Sequence, residues 1–418
     1  MIYKLFPGLR KLVSYNTSNL SGDITAGVIV TFLLFPQSMA YAIIAGVPIT
    51  MGLLAGTFPL LIYCLFGSSN YLSVGPVSVV SLLAFTGVSN IVEPDSSRFL
   101  EIIIFLSLIV GGVQLLMGML KMGSLLKYIS PAVIDGFTSA LAIIIILNQM
   151  SSIMGVSLPK YKNIFTYIMD ILYNISNVNI LTVMIGLASF IILVFLKSKL
   201  HISSSPFLLM IISILIVDYY DLNKQGVEVV GELPKDMPDV SVMIPTVELL
   251  LSILPIAMII GFISFFESFS VAKTLGDKEN EQVNPNQELV GLGFANMTSS
   301  FVGTIPVAGA ISRTAVNYES GAKTNVSMFV TALLMLLAFS YLTPFIYYLP
   351  NTTLAAIIIF AVMKLINVKK LKYFITNQIM EAIIFLITFI ATLVLDVFMG
   401  LVVGVVFTLG VNVVRRVF

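Results

Sequence analysis

The apolar positions of this chain fall into long unbroken runs. They show neither the strict alternation of a half-buried strand nor the single stripe of a surface helix. IIIFLSLIVGGVQLLMGML at 102–120 is typical, apolar on nearly every side of a helix. A membrane β-barrel would need alternation, so these runs predict helices. Polar or Gly/Pro-rich breaks divide them into predicted segments at 24–46, 50–67, 76–90, 99–119, 131–151, 179–196 and 205–218. After a polar loop at 219–245 come 246–272, 286–303, 306–317, 325–343, 350–366, 379–396 and 398–414. The count is seven plus seven, and an odd number per half inverts the second half relative to the first.

Two of the fourteen are too short to cross a hydrocarbon layer of about 30 Å, which takes about 20 helical residues. They lie in LSVGPVSVVSLLAF at 72–85 and GTIPVAGAISRTAV at 303–316, and each starts at a Gly/Pro break. Pro76 and Pro306 hold corresponding places in the two halves. The fifth elements also match: SPAVIDGF at 130–137 and LPNTTLAA at 349–356 both open on a proline, which a first turn tolerates. Paired discontinuous helices predict an inverted-repeat transporter with two half-helix N-termini facing each other near the midplane. Such ends carry partial positive charge and suit an anion.

Composition agrees. The 418 residues are 58% hydrophobic and 10% charged, with mean hydropathy +1.03. An ordinary soluble domain carries about 25% charged residues. The chain therefore reads as a polytopic membrane protein with little room for a soluble domain. With the N-terminus in the cytoplasm, sixteen of the 22 Lys and Arg fall on inner segments and five on outer ones, leaving Arg313 within the membrane. Both termini are then cytoplasmic, in a cell membrane of the bacterial inner-membrane kind. The single Cys64 excludes an internal disulfide, and the single His201 excludes a histidine metal cluster. Nothing in the sequence marks a nucleic-acid partner, and the first apolar run lacks a cleavage site for a signal peptide.

Few polar residues lie within the spans. Pro36, Gln37 and Tyr41 of PQSMAY sit mid-span; Gln37 either lines a cavity opposite the half-helices or bonds to another helix. Ser312 and Arg313 follow the second break. Arg313 either supplies positive field to an anion, or forms a structural ion pair, or reaches to the cytoplasmic face. Glu267, in GFISFFESFSVAK, could hold Na⁺, carry H⁺ or neutralise Arg313. Asp135, Glu381 and Asp396 lie near span ends and read as structural, as do Asn148 and Gln149. GLGFAN at 291–296 lacks the full dinucleotide fingerprint and reads as close helix packing.

These stretches resemble a known family. GDITAGVIVTFLLFPQSMAYAIIAGVP at 22–48 with YLSVGPVSVVS at 71–81 is similar to the opening signature of the SulP (sulfate permease) anion transporters. NQELVGLGFANMTSSFVGTIPVAGAISRTAVNYESGAKT at 286–324 resembles their second signature. The resemblance implies a uracil-transporter-like fold. Its core domain comprises helices 1–4 (1–128) and 8–11 (246–324, with helix 11 running to about 345). Its gate domain comprises helices 5–7 (129–245) and 12–14 (346–418), and alternating access moves one against the other. By motif position it implies anion contacts at Gln37, Tyr41, Val77, Ser78, Ala310, Ser312 and Arg313, and cation coupling at Glu267. Sodium-coupled members carry a threonine four residues after that acid, where this chain has Val271, so a hydroxyl ligand for Na⁺ is missing and the resemblance favours H⁺ over Na⁺. Most members continue into a cytoplasmic STAS domain, and this chain stops at Phe418 without one.

The expected function is secondary active transport of a small anion (sulfate, bicarbonate or a dicarboxylate) by symport with H⁺ or Na⁺. The expected partners are the anion, the lipid bilayer and a second copy in a homodimer, with no cofactor beyond a coupling Na⁺. An anion channel or uncoupled exchanger is the alternative. A nucleobase carrier would want an acid on the tenth helix, where Ser312 and Arg313 stand. No nucleophile–base pair or metal cluster points to an enzyme.

Overall fold

The computed structural model describes residues 6–13, 15–94, 96–124, 130–159, 161, 163–200, 202–233, 245–395 and 397–417. His201 and Asp396 lie outside the described residues, as does 234–244 of the predicted outer loop. A short helix α1 (Pro7–Val13) precedes the first span, α2 (Leu20–Ile44). The second span is broken at Gly56 and Thr57 into α3 (Ile49–Ala55) and α4 (Phe58–Phe66). Then come β1 (Val74–Gly75), α5 (Ser78–Ser89), α6 (Ser97–Met119), α7 (Pro131–Asn148) with α8 (Met150–Met154), α9 (Ile164–Tyr173), α10 (Ile180–Ser198) and α11 (Ser205–Tyr219). The second half repeats the order: α12 (Val247–Lys278), α13 (Pro285–Phe301), β2 (Ala308–Gly309), α14 (Ile311–Glu319), α15 (Val326–Leu342), α16 (Asn351–Val362), α17 (Val368–Asn377), α18 (Ile379–Val394) and α19 (Val397–Val417).

All fourteen predicted segments are helical, with three differences. The second half-helix starts at Ile311, not at Pro306, because 306–310 is extended and supplies β2. The first starts at Ser78, two residues past Pro76. The stretches after the fifth and twelfth spans, expected to be connections, contain α9 and α17, one in each half.

By packing the chain forms two compact units. The first comprises Met1–Ser124, Phe195–Ile216 and Val230–Leu349; the second Leu125–Val194, Val217–Val229 and Pro350–Phe418. In the first unit α6 crosses α13 at glycines. A Cβ on Gly111 would lie 2.7 Å from the Gly293 carbonyl oxygen, so the backbones touch only because both side chains are absent. Phe207 of α11 stacks on Phe32 of α2 at 4.7 Å. In the second unit, α18 packs on α7 and α19. Gly136 lies against the Phe385 backbone and Gly404 against Thr388. Asp135 pairs with Lys370 at 2.6 Å, and Glu381 accepts from Ser130, so both act structurally as expected.

Two buried acids in the first unit escaped the sequence reading. Glu288, on α13, accepts from the Tyr63 hydroxyl at 2.6 Å, the Ser68 N–H at 2.7 Å, the Ser68 hydroxyl at 2.6 Å and the Ser69 N–H at 3.0 Å. Asp23, on α2, accepts from the N–H groups of Lys323 and Thr324 and from the hydroxyls of Thr324 and Tyr15. Glu288 thus fixes the connection entering the first half-helix, and Asp23 the connection leaving the second. Helix α1 docks beside the former: Phe6 meets Phe66 at 4.6 Å, and the Lys11 ammonium donates to the Ser68 carbonyl at 2.8 Å and to Asn70. Burial lowers the Lys11 pKa, against the attraction of Glu281 and Glu288.

Removing the Glu288 carboxylate strands four donors, two buried and two half-buried. Glu288→Ala is expected to destabilise the folded protein by about 3 kcal/mol. A thermal melt in detergent should show a lowered midpoint; an unchanged midpoint would mean the 67–71 connection is held by other contacts.

Candidate functional site

The two broken helices meet at β1 and β2. These pair antiparallel, Val74 opposite Gly309 and Gly75 opposite Ala308, and the Ala310 N–H donates to the Ser73 carbonyl at 2.9 Å. Pro76 has no N–H to extend the ladder, and the chain turns into α5. The N-caps Val77 and Ala310 are extended (φ −139°, ψ 148° and φ −96°, ψ 124°), and neither carries a side chain able to cap its helix. Two first turns of N–H groups, each the positive end of a helix dipole, therefore start side by side.

Polar side chains hold this ladder from two directions. On one, Asn296 accepts from the Val307 N–H at 2.7 Å and donates to the Val307 carbonyl at 3.1 Å and to Gln114 at 2.9 Å. Gln114 in turn donates to the Ser264 hydroxyl at 2.7 Å, and Ser268 accepts from the Gly309 N–H at 2.7 Å. On the other, one face of α14 grips residues 71–76. Asn317 donates to the Tyr71 carbonyl at 3.0 Å, and Thr314 accepts from the Ser73 N–H at 3.0 Å. Arg313 reaches the Pro76 carbonyl at 3.1 Å, Gln37 Oε1 at 3.2 Å and Ser73 Oγ at 3.4 Å.

Arg313 is wholly buried, and its guanidinium is a cation without a carboxylate. Among the described residues no salt bridge involves it, and its Nη2 has no hydrogen-bond partner. Of the three sequence readings of Glu267, direct pairing with Arg313 therefore does not occur. Arg313 lies too deep to be a surface contact. It acts as a strut joining α2, the β1 turn and α14, and as a source of positive field behind both helix ends. By holding the Gln37 carbonyl oxygen it leaves that amide with only N–H donors to offer elsewhere.

The remaining expected residues distribute around this centre. Val77 and Ser78 are buried in the first turn of α5, and Ala310 is buried at the start of α14. Ser312 is exposed, on the side of α14 away from the strut. Tyr41, one turn beyond Gln37, is buried. Glu267, 9% exposed on α12, directly precedes the Ser268 that holds β2. Gln114, Asn296, Ser268, Ser73, Thr314 and Asn317 were not anticipated. Gln114 interrupts an apolar run and Asn296 ends GLGFAN, and an amide in such a place is the signal that could have found them. The described residues contain no cluster of His, Cys, Asp and Glu suited to a metal ion.

A polytopic helical protein with two half-helices meeting at a donor-rich, cationic centre is the class this geometry defines. The chain matches the sequence model of the Sulfate permease family over residues 20–388 and belongs to that family. It is 32% identical to sulfate transporter 4.1, chloroplastic, of Arabidopsis thaliana, over 97% of this chain and 60% of that protein. It is 30% identical to prestin of Danio rerio, over 98% and 59%. The chain thus spans about 60% of the length of these curated relatives. Among solved structures, murine Slc26a9 in the inward-facing state aligns with TM-score 0.91 at 22% identity, over 99% of this chain and 72% of that one. The transmembrane domain of the cyanobacterial bicarbonate transporter BicA aligns with TM-score 0.81 at 22% identity, over 95% and 99%. These likenesses are of fold, and the fold is the inverted repeat.

Arg313→Ala is expected to weaken binding of a small anion about tenfold or more, since it removes both the buried positive charge behind the helix ends and the strut that holds Gln37. Lys364→Ala, on a different helix, is expected to leave it unchanged. Gly75→Ala should fall between them, since its Cβ would sit 3.2 Å from Arg313 Nη2 and press on the strut. Equilibrium anion binding to purified protein checks the order; equal affinities for Arg313→Ala and Lys364→Ala would remove Arg313 from the site.

Proposed function

We propose that this protein is a secondary active transporter of a small anion, bound where α5 and α14 begin. One observation carries the reading: two uncapped helix N-termini converge on a buried guanidinium that, among the described residues, no carboxylate neutralises. In a site of low dielectric that arrangement favours negative charge and disfavours a neutral or cationic ligand. The binding residues are Gln37, Tyr41, Val77, Ser78, Ala310 and Ser312, with Arg313 acting from behind. The names of the relatives, a sulfate transporter and a bicarbonate transporter, support an oxyanion as substrate.

Helices 1–4 and 8–11 form the core that carries the site and helices 5–7 and 12–14 form the gate, although the seventh, α11, packs with the first compact unit, and access alternates as core and gate move against each other. Glu267 couples the movement to a cation. An anion carried inward against an inside-negative potential costs about 2.3 kcal/mol per charge per 100 mV, and a co-transported cation offsets it. Val271, one turn along α12, supplies no hydroxyl for Na⁺, which favours H⁺. The second reading, an uncoupled exchanger or channel, would leave Glu267 without a task.

The test is uptake of labelled sulfate, bicarbonate and a dicarboxylate into proteoliposomes, with imposed H⁺ or Na⁺ gradients. Wild type is expected to accumulate one of them under a cation gradient. Glu267→Gln is expected to lose that accumulation while retaining equilibrium binding of the anion. Gradient-driven uptake at the wild-type level in Glu267→Gln would overturn the coupling role. Anion flux in wild type that no cation gradient drives would favour the uncoupled reading.

A further inference from the structure

The two connection helices α9 and α17 occupy corresponding places in the repeat, each after the fifth span of its half, and each follows a helical pattern with one face turned out. Their charges differ. The helix α9 itself contains no lysine or arginine and one acid, Asp170, although Lys160 and Lys162 stand just before it in the sequence. Residues 363–378, around α17, contain Lys364, Lys369, Lys370 and Lys372, and no Asp or Glu occurs between Glu319 and Glu381. The repeat thus supplies its own comparison: the same element on opposite sides of the membrane, with lysines within the helix itself only in α17.

The faces of α17 divide by function. Phe374 is buried, and Lys370 lies beside it, paired with Asp135 at 2.6 Å, so this side seats the helix on its own unit. The next flank is apolar and exposed, with Val368 at 66% and Ile375 at 52%. Beside it, Lys369 and Lys372 are exposed together with Tyr373. Of the other charged groups near the helix, Lys364 lies over the Phe360 ring and Glu381 accepts from Ser130. An apolar flank next to a lysine flank fits a helix lying in the plane of a bilayer surface, its apolar side among acyl chains and its lysines among headgroups.

We propose that α17 docks on anionic phospholipid headgroups through Lys369 and Lys372, with Val368 and Ile375 in the adjoining acyl region. Charge complementarity selects the partner: a cytoplasmic leaflet is negative, and a basic cluster next to a membrane span is attracted to it. The placement on the cytoplasmic side follows from the lysine distribution, whereas the lipid preference can be tested without it.

The chain has no tryptophan, so Tyr373→Trp introduces a single, selectively excitable tryptophan at the surface in question. The full chain with that substitution is reconstituted into mixed phosphatidylcholine–phosphatidylglycerol vesicles in which one lipid or the other carries brominated acyl chains. Brominated phosphatidylglycerol is expected to quench about threefold more strongly than brominated phosphatidylcholine at equal mole fraction. Adding Lys369→Gln and Lys372→Gln should remove the preference, and Lys369→Arg with Lys372→Arg should keep it; matched melting midpoints confirm that all variants are folded. High salt should weaken the preference, since exposed charges are screened. Equal quenching by the two lipids in the parent, or a preference that survives the glutamine pair, would overturn the proposal. Loss of the preference when inorganic phosphate replaces chloride at constant ionic strength would assign the lysines to a free anion instead.

Discussion

A polypeptide that leaves its helix inside a bilayer must find partners for the backbone groups it frees, because hydrocarbon offers none. Here two segments of the chain do so at one place, and they do it for each other. Val74 and Gly75 pair with Gly309 and Ala308, and that two-residue ladder allows both half-helices to start mid-membrane. The surrounding polar side chains serve the same requirement. Asn296 satisfies both backbone groups of Val307, Ser268 takes the Gly309 N–H, and Thr314 and Asn317 take groups of Ser73 and Tyr71. These contacts lie at the depth where an unpaired group costs most, so the ladder is stiff and the two helix ends are fixed in mutual position.

Fixed positive ends become a binding site only if nothing in the protein cancels them. Arg313 adds a full charge, and its hydrogen bonds go to neutral acceptors: two oxygens on the β1 side and the Gln37 amide. A neutral acceptor stabilises the guanidinium without removing its field. A carboxylate in the same place would have made a structural ion pair. Glu267, on the helix that holds β2, does not pair with Arg313. The separation leaves a cationic centre and an acid as two distinct elements on one scaffold.

The acids that do carry structural weight are at the span ends. Asp23 and Glu288 each collect backbone N–H and hydroxyl donors from a connection that leads into or out of a half-helix. A buried carboxylate with several hydrogen bonds is a stable anchor even without a cation. Two such anchors limit how far the half-helices can shift relative to the spans that flank them.

The hydrophobic pattern by itself determined the number, order and inversion of the spans, since apolar runs and their breaks are local properties of the chain. It also located both discontinuities, because Pro76 and Pro306 interrupt runs that otherwise continue, and it singled out Gln37, Arg313 and Glu267 as costly residues at membrane depth. What it could not contain was pairing. That 306–310 is extended rather than helical depends on β1, more than 200 residues earlier in the chain. That Gln114 and Asn296 form one network depends on α6 crossing α13 at Gly111 and Gly293. Whether Arg313 meets Glu267 or the Gln37 amide is likewise a matter of which helices are neighbours. Apolar content is read residue by residue, whereas the partner of a buried polar group is chosen by the tertiary fold.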